Sequence, residues 1–220
     1  MNKEWQQTRS GRQAYPLAFT DEMLAWTDVG HALGNICRYT GHTEEFYSVA
    51  EHCCLVSDLL GRLAVNPELG RSLTLAGLVH DAAEAYITDL PSPIKHLECF
   101  RPYVEAEQRI EAVMAARLGL EFPWSPMVKQ ADNIVYVAEV RRLMSPKHPD
   151  WGLPPVPEQA VEWMLNRISL WSPAEATRQW TSRFNELTED DDETYGKVLQ
   201  FTPRGQKPGG DPRDRVVGGL

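Results

Sequence analysis

The chain has 220 residues, enough to bury one sizeable core, and its 42% hydrophobic and 24% charged residues are those of an ordinary globular protein. A formal net charge of -9 argues against a general nucleic-acid binder and leaves room only for a local basic pocket. No run approaches the ~18 apolar residues of a membrane span, the N-terminus has no apolar signal core, and Cys37, Cys53, Cys54 and Cys99 form no CxxC, so reduced thiols in a cytoplasmic setting are expected.

Residues 1–20 are polar, and Gly11 and Pro16 break any helix, so they form an arm. Its Arg9, Arg12 and Tyr15 read equally well as ligand-reaching or as solvated groups. Asp21 is expected to cap a helix in which Met23, Leu24, Trp26, Val29, Leu33 and Ile36 recur at helical spacing, ending near Arg38. His31 within it reads as a hydrogen-bonded core histidine. After a connection turned by Gly41, Ser48 and Glu51 make a capping box for a helix to about Ala64 that contains His52. Asn66 and Pro67 start a helix expected to run unbroken through His80, Asp81 and Glu84 to about Ile87. TDLPSPIK then reads as a proline-broken loop.

Residues 101–118 form an amphipathic helix stopped by Gly119, and another runs from about Met127 to Met144. Asp132 and Asn133 are poor helix-interior residues, which asks for a reason. A proline-rich loop containing Trp151 leads to a helix from Pro157 to about Leu170. Ser172, Pro173 and Glu175 then open a last helix to about Leu187. Trp26, Trp151, Trp163, Trp171 and Trp180 read mainly as core or interface. Residues 189–220, with the run EDDDE and a Gly/Pro-rich end, read as a disordered tail. The expected fold is all-α: about seven helices over residues 1–188, no strand, and a tail over 189–220.

Within the apolar stretch Leu73–Lys95 a His-Asp pair asks for a partner, because charged groups are rarely buried unless paired or bound to metal. A helix-surface salt bridge is the plainer reading of the pair alone. With His52 and Asp132 it makes two imidazoles and two carboxylates on three separate helices. That mixed nitrogen and oxygen set suits a first-row divalent cation: Mn, Co, Zn, Fe or Ni.

The order H…HD…D, carried by SVAEH (His52), LVHDAAEAY (His80, Asp81) and KQADN (Asp132), resembles the HD-domain metal-dependent phosphohydrolase superfamily. ICRYTGH, FYSVAEH, LVHDAAEAYITDLPSPIK and KQADN stand in the same order as in bacterial 5′-deoxynucleotidases of the HD type. With SGRQAYPL and DVGHALGNICRYTGH they also resemble the phage dATP triphosphohydrolase group. The likeness spans roughly residues 8–140.

The resemblance implies an HD-domain helical bundle in which His52, His80, Asp81 and Asp132 bind one divalent metal, with a second Mg entering with the phosphates. It implies Arg38 as a phosphate-binding arginine and Tyr39, where some relatives carry tryptophan, as the aromatic group against the sugar. Glu84 and Asp89 stand as the acidic residues near the attacking water and the scissile phosphate, Lys95 and Lys129 as further phosphate neutralisers. A homo-oligomer, dimer or hexamer, is implied too. The implied activity is deoxynucleoside triphosphate hydrolysis, dATP first, releasing deoxynucleoside and triphosphate. The alternatives are a 5′-deoxynucleotidase, a cyclic-nucleotide or alarmone hydrolase, and a non-catalytic nucleotide-sensing or assembly protein.

Overall fold

The structure, a computed structural model, describes residues 4–64, 66–144 and 146–188; the tail expected over 189–220 lies outside the described residues. Gly11, at φ +88°, turns the N-terminal arm into a two-residue antiparallel ribbon, β1 (Gln6–Gln7) against β2 (Gln13–Ala14), a small strand pair that the sequence reading does not contain. Among the described residues the helices are α1 (Trp26–Asn35), α2 (Val49–Leu63), α3 (Pro67–Val79), α4 (Glu84–Ile87), α5 (Ser92–Lys95), α6 (Arg101–Arg117), α7 (Pro126–Leu143), α8 (Glu158–Leu165) and α9 (Pro173–Thr188). The two four-residue helices aside, the all-α bundle is the one expected.

Four starts are set by capping side chains, each giving an acceptor to an otherwise orphaned N–H. Ser48 Oγ takes the Glu51 N–H at 3.1 Å, Asn66 Oδ1 the Leu69 N–H at 3.3 Å, Ser125 Oγ the Met127 N–H at 3.3 Å, and Ser172 Oγ the Glu175 N–H at 3.3 Å. Glu51 does not complete its expected capping box. Its fully buried carboxylate accepts instead from the Ser169, Leu170 and Trp171 N–H groups at 2.7, 3.0 and 2.8 Å, pinning the α8–α9 connection to α2.

The central element is α2. Its buried residues face two apolar clusters: Val49 and Cys53 lie with Val29, Leu33, Ile110, Met114, Trp180 and Phe184, while Leu55, Val56, Leu59 and Leu60 lie with Val135, Val161 and Met164. A helix buried on all sides can hold a polar side chain only against a partner, which makes His52 on α2 informative. Trp26 and Trp180 are core as expected; Trp151, Trp163 and Trp171 are half-buried.

Three expected helix bounds move. Asp21 opens only a 3-10 turn, because Leu24 and Ala25 are extended and α1 begins at Trp26. The last of the apolar run Pro157–Leu170 leaves the helix after Leu165, and Leu170 takes a left-handed conformation over Glu51. Most consequential, the expected helix through His80 stops at Val79. The His80 Nδ1–H donates to Gly77 O at 2.8 Å, the carbonyl that an uninterrupted helix offers to the Asp81 N–H. Tighter bonds three residues apart follow, from Ala82 to Val79 and from Glu84 to Asp81. TDLPSPIK, expected as loop, contains α5.

Helices α1 and α9 meet at glycines. A Cβ on Gly34 would fall 2.9 Å from both Pro173 O and Thr177 N, and one on Gly30 would fall 2.8 Å from Trp180 Cε3. Alanine at Gly34 gains about 1 kcal/mol of helix propensity. Against backbone atoms of α9, overpacking costs about 1–3 kcal/mol. The Gly34→Ala variant is expected to melt a few degrees lower than the parent, at ~2–4 °C per kcal/mol for a chain of this size. A thermal melt that shows an unchanged or higher midpoint refutes the tight α1–α9 contact.

Candidate metal centre

Helix α2 presents His52, the turn after α3 presents His80 and Asp81, and α7 presents Asp132. His52 Nε2 lies 3.4 Å from His80 Nε2, 3.3 Å from Asp132 Oδ1 and 3.5 Å from Asp81 Oδ2; His80 Nε2 lies 3.3 Å from Asp81 Oδ2. The tightened turn explains the last distance, since neighbouring residues of a regular helix diverge by about 100°. His52, His80 and Asp132 form a group able to hold a metal ion, with donor atoms within 4.8 Å of one another, and Cys53, His80 and Asp81 form a second that shares His80.

The ring tautomers follow from the partners. His52 Nδ1 lies 2.6 Å from Glu139 Oε1, a carboxylate that only accepts, and His80 Nδ1 lies 2.8 Å from a carbonyl oxygen. Both Nδ1 atoms therefore carry hydrogen, and the Nε2 atoms are the ring nitrogens that face the carboxylates, His52 Nε2 toward Asp81 and Asp132 and His80 Nε2 toward Asp81. Two anions inside the protein need positive charge between them; ring protons supply it, and with those protons released the same atoms are the donor set and orientation a divalent cation takes. Burial disfavours charge on both rings, yet Asp81 holds His80 well above the usual imidazole range, and Glu139 with Asp132 raises His52. Burial likewise opposes the Asp81 and Asp132 carboxylates, and the imidazoles outweigh it, holding both below their ordinary range.

Around this cluster the other expected residues separate into two groups. Arg38 reaches it: Nη1 lies 3.5 Å from Asp81 Oδ2 and Nε 3.3 Å from Glu139 Oε2, while Nε makes no hydrogen bond. Tyr39, in a left-handed conformation at φ 55°, donates its hydroxyl to Glu139 Oε2 at 2.7 Å. Lys129 stands at the rim, Nζ 2.7 Å from Asp132 Oδ2, with a largely exposed side chain. Glu84 is buried, its Oε2 without a hydrogen-bond partner; burial first, then Asp81, pushes its pKa well above the carboxylate range. Glu84 also lines a cavity of about 400 Å³ with Asn35, Ile36 and Ile87. Asp89 is raised by burial, against the pull of Arg38. Lys95 pairs with Glu107 on α6 at 2.6 Å, and the charges of Asp81 and Glu84 also act on it. In the arm Arg12 donates to Glu22 O; His31, on α1, is half-buried rather than in the core.

Four residues around the cluster were not expected as part of the site. Glu139, fully buried, accepts from His52, Tyr39 and, at 2.8 Å, Tyr47. It follows Asp132 by two helical turns, a spacing that puts both on one face of α7 and makes it findable. Glu107 and Glu111, one turn apart on α6, are both raised by burial, Glu111 up to about 7. Cys53 was counted only among the thiols; burial pushes it up to about 11, so it stays protonated unless a cation takes its place.

No family model matches the chain. It is 36% identical over 186 residues to the uncharacterized protein YfdR of Escherichia coli (strain K12), covering 83% of this chain and 94% of that one. It is 35% identical over 140 residues to an uncharacterized protein of Rhodobacter capsulatus, covering 61% of this chain and 70% of the relative. The helical bundle and its buried His/Asp cluster thus sit in a sequence matched along almost the whole of the first relative, and the chain belongs to the same family as YfdR.

Proposed function

We propose that residues 1–188 form an HD-type phosphohydrolase that uses a divalent cation to cleave deoxynucleotides, with a deoxynucleoside triphosphate, dATP first, as substrate and deoxynucleoside plus triphosphate as products. The observation that carries this reading is the convergence of His52, His80, Asp81 and Asp132 with the Arg38 guanidinium beside them. When bound, the cation lowers the pKa of a water and withdraws charge from a phosphoryl oxygen. The chain's own residues do the rest. Arg38 offers a planar fork to phosphate oxygens. Glu84, pushed toward its protonated form by burial, gives a proton to the leaving oxygen, with Asp89 beside the phosphate. Lys129 meets further phosphate charge at the rim.

One observation favours the monophosphate reading, a 5′-deoxynucleotidase: both lysines meant for the outer phosphates are engaged by carboxylates, Lys95 by Glu107 and Lys129 by Asp132. Product identification separates the two. Protein stripped with a chelator is expected to be inactive and to recover with Mn or Co, releasing triphosphate from dATP. Phosphate release from dAMP instead selects the second reading. Bound metal with no turnover on any nucleotide selects a non-catalytic role, and full activity without metal ends the proposal.

Arg38→Ala is expected to raise KM or lower kcat at least tenfold with metal content unchanged. Arg38→Lys should restore only part, because a point charge replaces the bidentate fork. Kinetics of Arg38→Ala equal to wild type would put the arginine outside the reaction.

Glu84→Gln is expected to lower kcat by ~10²–10⁴, the usual weight of a general acid or base, while metal stoichiometry and nucleotide Kd hold. Loss of the metal in that variant would make Glu84 a ligand, and wild-type turnover would make it a bystander.

A further inference from the structure

Glu139 is a single buried carboxylate whose two oxygens face different parts of the site. Oε1 accepts from His52 Nδ1 at 2.6 Å and from the Tyr47 hydroxyl at 2.8 Å. Oε2 accepts from the Tyr39 hydroxyl at 2.7 Å and faces Arg38 Nε at 3.3 Å. One oxygen thus sets the tautomer of His52 and the other holds the Arg38–Tyr39 turn, which Tyr39 and Thr40 keep in left-handed geometry at φ 55° and 52°.

We propose that Glu139 is a positioning residue that joins the cation site to the Arg38–Tyr39 turn, so that a change at the turn is felt at His52 through one carboxylate. The proposal rests on the reading of His52 as a cation ligand and of Arg38 as a phosphate group's partner.

Chemistry makes the requirement specific. Only a carboxylate accepts on both sides. A glutamine whose carbonyl faces His52 and Tyr47 turns its NH2 at the Arg38 guanidinium, donor against donor. The opposite orientation points NH2 at His52 Nδ1, which then passes its hydrogen to Nε2 and occupies the lone pair that the cation needs. In either orientation the negative charge behind His52 is gone, and the imidazole becomes a weaker ligand. Tyr39 acts from the far side. Removing its hydroxyl leaves Oε2 with one donor fewer, makes Glu139 a stronger acceptor for His52, and strengthens the ligand. The hydroxyl bears no net charge and belongs to no ligand, so a response at the cation travels through Glu139.

The test reads cobalt binding by visible absorption on the full chain, with no nucleotide present. Glu139→Gln is expected to weaken cobalt ~10–100-fold, the usual cost of losing such a hydrogen-bond partner. Tyr39→Phe is expected to tighten cobalt by about two- to fivefold, a fraction of one neutral hydrogen bond. In the Glu139→Gln background the same Tyr39→Phe change is expected to do nothing. A cobalt Kd in Glu139→Gln within twofold of wild type, or a Tyr39→Phe shift of equal size in both backgrounds, overturns the proposal. Should Glu139→Gln fail to fold, Tyr39→Phe on the wild-type chain decides: an unchanged cobalt Kd and spectrum overturn it. Wild-type protein that binds no cobalt sinks the metal reading and this inference together; wild-type binding with indifferent variants sinks this inference alone.

Discussion

The rest of the site depends on one electrostatic demand. Two imidazole nitrogens and two carboxylates meet within 3.5 Å at His52 Nε2, in a region where His52 is fully buried and His80 nearly so. Desolvating an ion costs several kcal/mol even after relaxation, so such a set survives only around positive charge. Protons on the rings satisfy part of it, and a divalent cation satisfies both carboxylates at once. Everything adjacent agrees with that sign. Arg38 and Lys129 face the carboxylates from outside, Glu139 stands behind His52, and a backbone carbonyl stands behind His80. The bundle exists, from the site's standpoint, to bring α2, α7 and the end of α3 to one point.

Much of the fold was legible because caps and apolar period agree locally. Ser48, Asn66 and Ser172 announce α2, α3 and α9, and each serves its helix as expected. The errors share a cause: tertiary partners took over groups that local rules assign to the helix. Glu51 left its capping box for the N–H groups of Ser169, Leu170 and Trp171, which are more than a hundred residues away in sequence. His80 took the Gly77 carbonyl and ended α3 where propensity favours continuation, since Ala82, Ala83 and Ala85 are good helix formers. Asp28, on α1, is buried and accepts from the Ser10 N–H and hydroxyl of the arm.

The residues of the His/Asp cluster were legible as types but not as geometry. A straight helix would turn Asp81 away from His80; the tightened turn brings their polar atoms to 3.3 Å, and it also gives Glu84 a short helix of its own. Glu139 shows the limit of reading by motif. It carries no signature, yet the poor helix former Asp132 already marks that face of α7, and two turns along the same face lies the one fully buried carboxylate that α7 contributes. Lys95 is a different case. A lysine near a phosphate motif invites a functional role, and here Glu107 holds it, with the Tyr103 ring 5.8 Å away.

Backbone strain is distributed in the same pattern. Tyr39, Thr40, Thr88 and Leu170 sit at positive φ without being glycine, at a cost of about 1–3 kcal/mol each. Three of the four are tied by a bond from a different element. Tyr39 is held by its hydroxyl on Glu139, and Thr88 by the Tyr103 hydroxyl on its carbonyl at 2.7 Å. Leu170 is held by its N–H on Glu51. The two of these bonds made to carboxylates contribute about 1.5–3 kcal/mol each, the same order as the strain they offset. The carboxylates Glu51 and Glu139 are thus both anchors for strained turns, one within a residue of His52 in sequence and the other in contact with its ring. Loss of either releases a turn that local preference would not hold, so the geometry around His52 is maintained by buried acids and not by the helices alone.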